Sequence, residues 1–152
     1  RGRCRVSGRA WQAFLAVEPP TVTHNDLEAY VVMRRGIPRA TIRKSDRLKA
    51  AEDAIMAALG RCAPDLPLSG PLRLGVRWCF ATHGRHEQGE PHTQRPDVDN
   101  LCKTLSDCLV RAGVIADDRL VADGMLAKAW VDPAGIWVRV EEIERPRPQE
   151  AI

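Results

Sequence analysis

The clearest pattern in the chain is at residues 72–80, where Leu72, Leu74, Val76, Trp78 and Phe80 alternate with Arg73, Gly75, Arg77 and Cys79. A period of two belongs to a β-strand with one face buried and one solvated, so this segment is predicted as a half-buried strand, basic on its open side. After Ser45 the period changes. Leu48, Ala51, Ile55, Ala58 and Leu59 recur at helical spacing, Ser45 suits the N-cap, Asp46 the first turn, and Gly60 the end. A second amphipathic helix is predicted over about residues 100–112, with Leu101, Cys102, Leu105, Cys108, Leu109 and Ala112 as its apolar stripe. Gly113 then stands where a left-handed C-terminal residue belongs.

The remaining elements follow from punctuation as much as from pattern. Residues 10–17 suit a first strand, ended by Pro19 and Pro20, which lack the donor that pairing needs. Residues 30–33 and 39–42 flank Arg34-Arg35-Gly36 and predict a strand, a glycine-containing turn and a returning strand, with arginines on both arms. Residues 120–131 and 136–143 predict two closing strands joined by Asp132-Pro133-Ala134-Gly135. Between them and the first half, residues 83–95 hold almost nothing apolar and predict an exposed loop with solvated histidines. Cys79, His83, His86 and His92 lack the paired spacing of a zinc site. The order β-β-β-α-β-α-β-β implies an α+β (mixed α/β) fold, a small mixed sheet with two helices most simply packed on one face.

Composition narrows the class without naming a function. The chain has 152 residues, 44% of them apolar and 28% charged, which suits one globular domain spanning 1–152 with a core that needs no disulfide or structural metal. No run of about 18 apolar residues occurs, and the arginine-rich start lacks a signal peptide's apolar region, so no membrane segment is expected. Five cysteines without a C-x-x-C pair suit a reducing compartment, and a cytoplasmic location is expected. The net charge of +3 conceals an asymmetry: residues 1–50 carry 11 basic and 4 acidic side chains, whereas residues 51–152 carry 12 basic and 16 acidic. A basic surface beside an acidic pocket is one way to bind a polyanion and present metal ions to it.

The densest chemistry is at Arg95-Pro96-Asp97-Val98-Asp99-Asn100-Leu101. Pro96 biases Arg95 toward extended geometry, and if that geometry continues, Asp97 and Asp99 share a side while Asp99 or Asn100 caps the helix. Two carboxylates held close repel each other and tend either to share a proton or to bind a cation, and a hard ion such as Mg²⁺ takes such oxygen ligands. Lys103 follows one helical turn after Asp99, on the polar face with Asn100 and Asp107. Asp117-Asp118 opens the penultimate strand and offers a third carboxylate, while Lys128 shares strand parity with Asp118. An aspartate at a helix start is often only a cap, and an Asp-Asp pair often only a turn, but capping alone does not account for the whole set. An EF-hand is excluded, because the sixth position from Asp97 is Cys102 and the twelfth is Cys108.

The stretch Asp97-Val98-Asp99-Asn100-Leu101-Cys102-Lys103, with Asp107 and then Asp117-Asp118, resembles the RusA family of Holliday junction resolvases. The pattern is D-x-D-N-x-x-K, a further Asp within the helix, and a D-D pair before the next strand; Lys128 also falls where the family tends to carry a lysine. The likeness is firm over residues 95–145 and loose elsewhere, and the basic extension at residues 1–9 lies outside it. It implies a small homodimeric endonuclease, dependent on Mg²⁺ with Mn²⁺ as candidate substitute, that makes paired nicks in branched DNA. By that resemblance Asp97, Asp99 and Asp118 are the metal-binding catalytic carboxylates, Lys103 is the essential lysine, and Asp117 is the less favoured of its pair. Arg34, Arg35, Arg39, Arg43, Arg95 and Lys128 are candidate phosphate contacts. Another metal-dependent phosphohydrolase acting on flap or single-stranded DNA would use the same carboxylates, and a junction-binding protein without catalysis would show a gap in them. Trp11, Trp130 and Trp137 are expected in the core, with an interface as the alternative.

Overall fold

The computed structural model of the chain describes residues 4–7 and 9–144. Its elements run β1 (Cys4–Ser7), β2 (Ala10–Leu15), β3 (Leu27–Arg34), β4 (Ile37–Lys44), α1 (Asp46–Leu59), β5 (Leu72–Phe80), α2 (Val98–Arg111), β6 (Val121–Trp130) and β7 (Gly135–Glu142), with a 3-10 turn at Asp118–Leu120. One sheet has the order β1-β2-β7-β5-β6, and β3 and β4 form a separate two-stranded sheet. Within the larger sheet β5 and β6 are parallel and the other pairs antiparallel. A parallel pair needs a crossover, and α2 supplies it, which gives the α+β fold expected from the pattern.

The alternation along β5 decides which face is covered. Leu72, Leu74, Val76 and Trp78 lie in one core with Trp11, Ala13 and Leu15 of β2 and Ile136, Val138 and Val140 of β7. Ile55 and Leu59 of α1 and Leu101, Leu105 and Leu109 of α2 close over that face. Each such side chain contributes about 1.5–3 kcal/mol by leaving water, so the sheet, not the helices' own propensity, holds both helices in place. The opposite face stays open and carries Arg73, Arg77 and Arg139. Trp11 and Trp130 are buried as expected; Trp137 is 45% exposed on the open face, because it lies one residue out of phase with Ile136 and Val138.

Several local expectations change. β1 falls within the predicted N-terminal extension and pairs antiparallel with β2, so residues 4–7 extend the sheet; residues 1–3 and 8 lie outside the described residues. The backbone does not stay extended as far as Asp99. Helix α2 starts at Val98 with Asp97 as its N-cap, so Asp99 stands in the first turn and neither it nor Asn100 is the cap. Asp118 opens a 3-10 turn, not the strand itself, which starts at Val121.

The largest correction concerns residues 83–95. His83 is exposed, but His92 is only 6% exposed and stacks on Phe80 at 3.9 Å between ring centroids. The His86 ring lies parallel to Trp130 at 3.9 Å. Backbone bonds from Gly89 N to Trp130 O (2.8 Å), Trp130 N to Glu90 O (2.8 Å) and His92 N to Lys128 O (3.1 Å) lay the loop along β6. The physical reason lies in what it covers: an edge strand has unpaired backbone groups, and its aromatic side chains offer faces that imidazoles can cover. Among the described residues no three His, Cys, Asp or Glu side chains are grouped as a metal site, so the loop histidines form no zinc cluster.

Candidate active site

Helix α2 places the first two carboxylates. Asp97 caps it through its backbone position (φ −70°, ψ 145°), yet its side chain makes no capping hydrogen bond, so the carboxylate is left for other use. Asp99 follows in the first turn, and both side chains are exposed. Unsatisfied N–H groups and the helix dipole make a helix start favourable to anions, so two acids are tolerated there at little electrostatic cost. The loop before Asp97 is held by Lys128, whose Nζ donates to the carbonyls of Gln94 and Pro96, each at 2.7 Å. Lys128 is thus occupied as a clamp on the approach to Asp97.

Lys103 joins α2 to the next segment. Its Nζ donates to Asp107 Oδ1 and to Asp118 Oδ2, both at 2.8 Å. Those two bonds, Asp107 first, raise the lysine above its ordinary value, so it stays charged throughout the working range. The bond from Lys103 likewise holds the Asp118 carboxyl below the usual aspartate value. The two members of the acidic pair separate here. Asp117 Oδ1 accepts from Arg119 N at 2.9 Å and caps the 3-10 turn, while Asp118 turns to Lys103.

A third segment completes the surroundings. Asn25 Nδ2 donates to Asn100 Oδ1 at 3.2 Å, and His24 N donates to Thr104 Oγ1 at 3.0 Å, tying the loop before β3 to α2. Between loop and helix lies a cavity of about 350 Å³, lined by Thr21, Thr23, Asn25, Arg95 and Asp97 among others. Asp97 and Asp99 therefore stand at one end of α2, with the Lys103–Asp118 pair further along the helix. The three carboxylates are not grouped as one site among the described residues, since Asp118 is taken up by Lys103, but carboxylate oxygens are the donors that suit a hard divalent cation. Mg²⁺ in particular is commonly held by one or two carboxylates plus substrate phosphate and water.

The basic candidates divide by what they touch. Arg34, Arg35 and Arg39 lie exposed on the β3–β4 hairpin, without an ion pair among the described residues. Arg43 donates to Glu28 Oε2 at 3.4 Å and sits 5.2 Å over the Tyr30 ring. Arg95 lines the cavity beside Asp97.

Glu52 escaped the sequence reading. Buried at 4% exposure on α1, it accepts from Lys44 Nζ at 2.6 Å and from Arg111 Nη1 at 3.1 Å, joining β4, α1 and α2. A signal existed: position 52 shares the helix face of Leu48, Ile55 and Leu59, where a carboxylate needs a partner.

The family model described as Endodeoxyribonuclease RusA matches residues 19–141 of the chain. No curated protein matches it.

Proposed function

Because the chain belongs to the RusA endodeoxyribonuclease family, we propose that it is a Mg²⁺-dependent, structure-selective endonuclease. Its substrate is the four-way DNA junction, resolved by paired hydrolysis of phosphodiester bonds during recombination and repair in the cytoplasm. The observation that carries this reading is the Lys103–Asp118 bridge. It ties a third carboxylate, from a separate segment, to a lysine on the helix whose start bears Asp97 and Asp99.

By the family pattern Asp97, Asp99 and Asp118 are the residues that would hold the metal; in this structure the three are not grouped as one site, and Asp118 is bonded to Lys103. When bound, a divalent cation polarises the scissile phosphate and makes water more acidic. The rest falls to the chain's own groups. The N-terminus of α2 directs free N–H groups and its positive dipole end toward an incoming phosphate. Lys103, fixed by two carboxylates and charged at every working pH, supplies positive charge to the phosphate as negative charge builds on it. Lys128 keeps the Gln94–Pro96 backbone, and with it Asp97, in place. Water attack on phosphorus with breakage of the P–O3′ bond, the 3′ oxygen leaving with a proton, gives a 5′-phosphate and a 3′-hydroxyl, ends that a ligase can seal.

Resolution needs two nicks and hence two sites related by a two-fold axis. The β3–β4 hairpin supports a homodimer. Its register puts Ala29, Val31, Met33, Pro38, Ala40 and Ile42 on one face, and Val31, Met33 and Ile42 are 65%, 63% and 68% exposed. A lone two-stranded hairpin is marginal in water, and a face that is apolar from the Ala29–Ile42 pair to the Met33–Pro38 pair calls for a cover. A second copy provides it.

The test is cleavage of a four-way junction, a linear duplex, a flap and single strands with Mg²⁺. Preferential paired nicking of the junction is expected, and Asp99→Asn should lower cleavage on the order of 10³-fold while junction binding is kept. Equal cutting of duplex and junction, or full activity in the variant, would overturn the reading.

A further inference from the structure

A second cavity, of about 230 Å³, opens beside the first and is lined by Pro19, Phe80, His92, Gln94, Arg95 and Trp130 among others. Thr21 and Arg95 line both, so the two join at the approach to Asp97. Its walls are chiefly planar groups. His92 stacks on Phe80, Trp130 lies edge-on to Phe80 at 6.2 Å and tilted to His92 at 4.3 Å, and the Arg95 side chain stands at the shared rim. His92 is 6% exposed, and its buried Nδ1 has no hydrogen-bond partner. A buried polar atom left without a partner costs about 1–3 kcal/mol, a cost that a ligand can relieve.

We propose that this cavity holds one nucleobase of the cleaved strand, next to the scissile phosphate, and that the His92 ring hydrogen-bonds to the edge of that base. The inference rests on the nuclease reading, since it takes the phosphate to lie at Asp97 and Asp99. Three features favour a base over a second phosphate. The lining joins the edges of Phe80, His92 and Trp130 to polar side chains, which suits a flat ring that is part apolar and part polar. Burial, and then the Lys128 charge, push the His92 imidazole below its ordinary value, so at neutral pH it is uncharged and presents one donor and one acceptor. Arg95 lines both cavities, so it stands where they meet and can serve a phosphate beside the base. A base that is already unpaired costs least to take out of the stack, so a junction whose pairs open at the branch can deliver one at small cost.

Single abasic nucleotides, scanned through the positions flanking the cut in a four-way junction, test the assignment through metal-free equilibrium binding. One position is expected at which removing the base weakens binding by wild-type protein about tenfold. His92→Leu should weaken binding of the intact junction to a similar degree and be indifferent to that abasic position. Ala81 also lines the cavity, so Ala81→Met, which fills it with His92 in place, should reproduce the loss; circular dichroism and melting establish that both variants fold. The proposal is overturned if no position in the scan matters to the wild type, or if both folded variants respond to the scan as the wild type does. Failure of the nuclease reading shows separately, as binding of the junction without nicking when Mg²⁺ is added.

Discussion

The acidic site on α2 and the basic β3–β4 hairpin are both exposed and charged, but they differ in how complete they are. At the site, Lys103 is bonded to two carboxylates, the approach loop is clamped by Lys128, and the helix beneath is packed into the core through Leu101, Leu105 and Leu109. On the hairpin, Arg34, Arg35 and Arg39 have no ion-pair partner among the described residues, and the face bearing Val31, Met33 and Ile42 covers nothing. The site is thus positioned by the fold of one chain. On the function proposed above, the hairpin is completed by other molecules: a second copy for its apolar face, and phosphates for its arginines.

Disrupting the apolar face should sharpen this contrast most. Val31→Asp together with Ile42→Asp places two charges where the proposed partner packs. Sedimentation should show a monomer at concentrations where the parent is dimeric, a loss of at least tenfold in association. Nicks in the two strands of a junction should become uncoupled, so that nicked intermediates accumulate. The melting temperature of the monomer fold should change little, because both side chains are already exposed. A fully dimeric double variant would remove the hairpin from the interface.

The next effect separates anchoring from function. Glu52→Ala removes the acceptor shared by Lys44 and Arg111 and should destabilise the fold by about 1–2 kcal/mol, read as a lower midpoint in urea. The cost stays below that of a fully buried pair because Lys44 and Arg111 are about half exposed and can turn to water. The hairpin end should loosen before the site does, since Lys44 lies at the end of β4. Equal loosening of α2 in hydrogen exchange would contradict that order.

The same contrast explains what could be read from sequence. Strand β5, helix α1 and the hairpin turn were legible because each depends on local chemistry. The turn is a case in point: Arg35 and Gly36 take φ of 50° and 76°, the two positive values of a type I′ loop, with Arg34 paired to Ile37. The D-x-D-N-x-x-K spacing was equally visible, but its geometry was not, because whether Asp97 is strand or N-cap depends on where α2 begins. The loop at 83–95 was misread for a related reason. Its polar composition hides that His86 and His92 meet Trp130, a contact between residues far apart along the chain. Lys128 was placed near the site by parity with Asp118, an argument that the 3-10 turn invalidates. The lysine reaches the site region through the carbonyls of Gln94 and Pro96.

Smaller still is the effect of any one hairpin arginine. Arg34→Ala, Arg35→Ala and Arg39→Ala should each leave cleavage of bound junction intact and reduce the slope of log affinity against log salt by about 1 for each phosphate no longer neutralised. A slope unchanged in all three variants would mean that the hairpin's charge faces away from DNA.

The Lys103–Asp118 bond should contribute least to stability, though it matters most to the proposed chemistry. Both side chains are more than 40% exposed, so solvent screens the pair and its contribution stays below about 1 kcal/mol. Asp118 titrates lower in the folded chain than its ordinary 3.8, so its share is present above that pH and fades as pH falls through the depressed value. Lys103 titrates higher than its ordinary 10.5, so its share is complete below that pH and fades only under strongly basic conditions. Between those limits the pair is fully formed. Asp118→Asn should therefore melt within about 1 kcal/mol of the parent near neutral pH, and the difference should close as the buffer is taken below pH 3.8. A gap that widened in acid would mean that Asp118 is stabilised by something other than the lysine beside it.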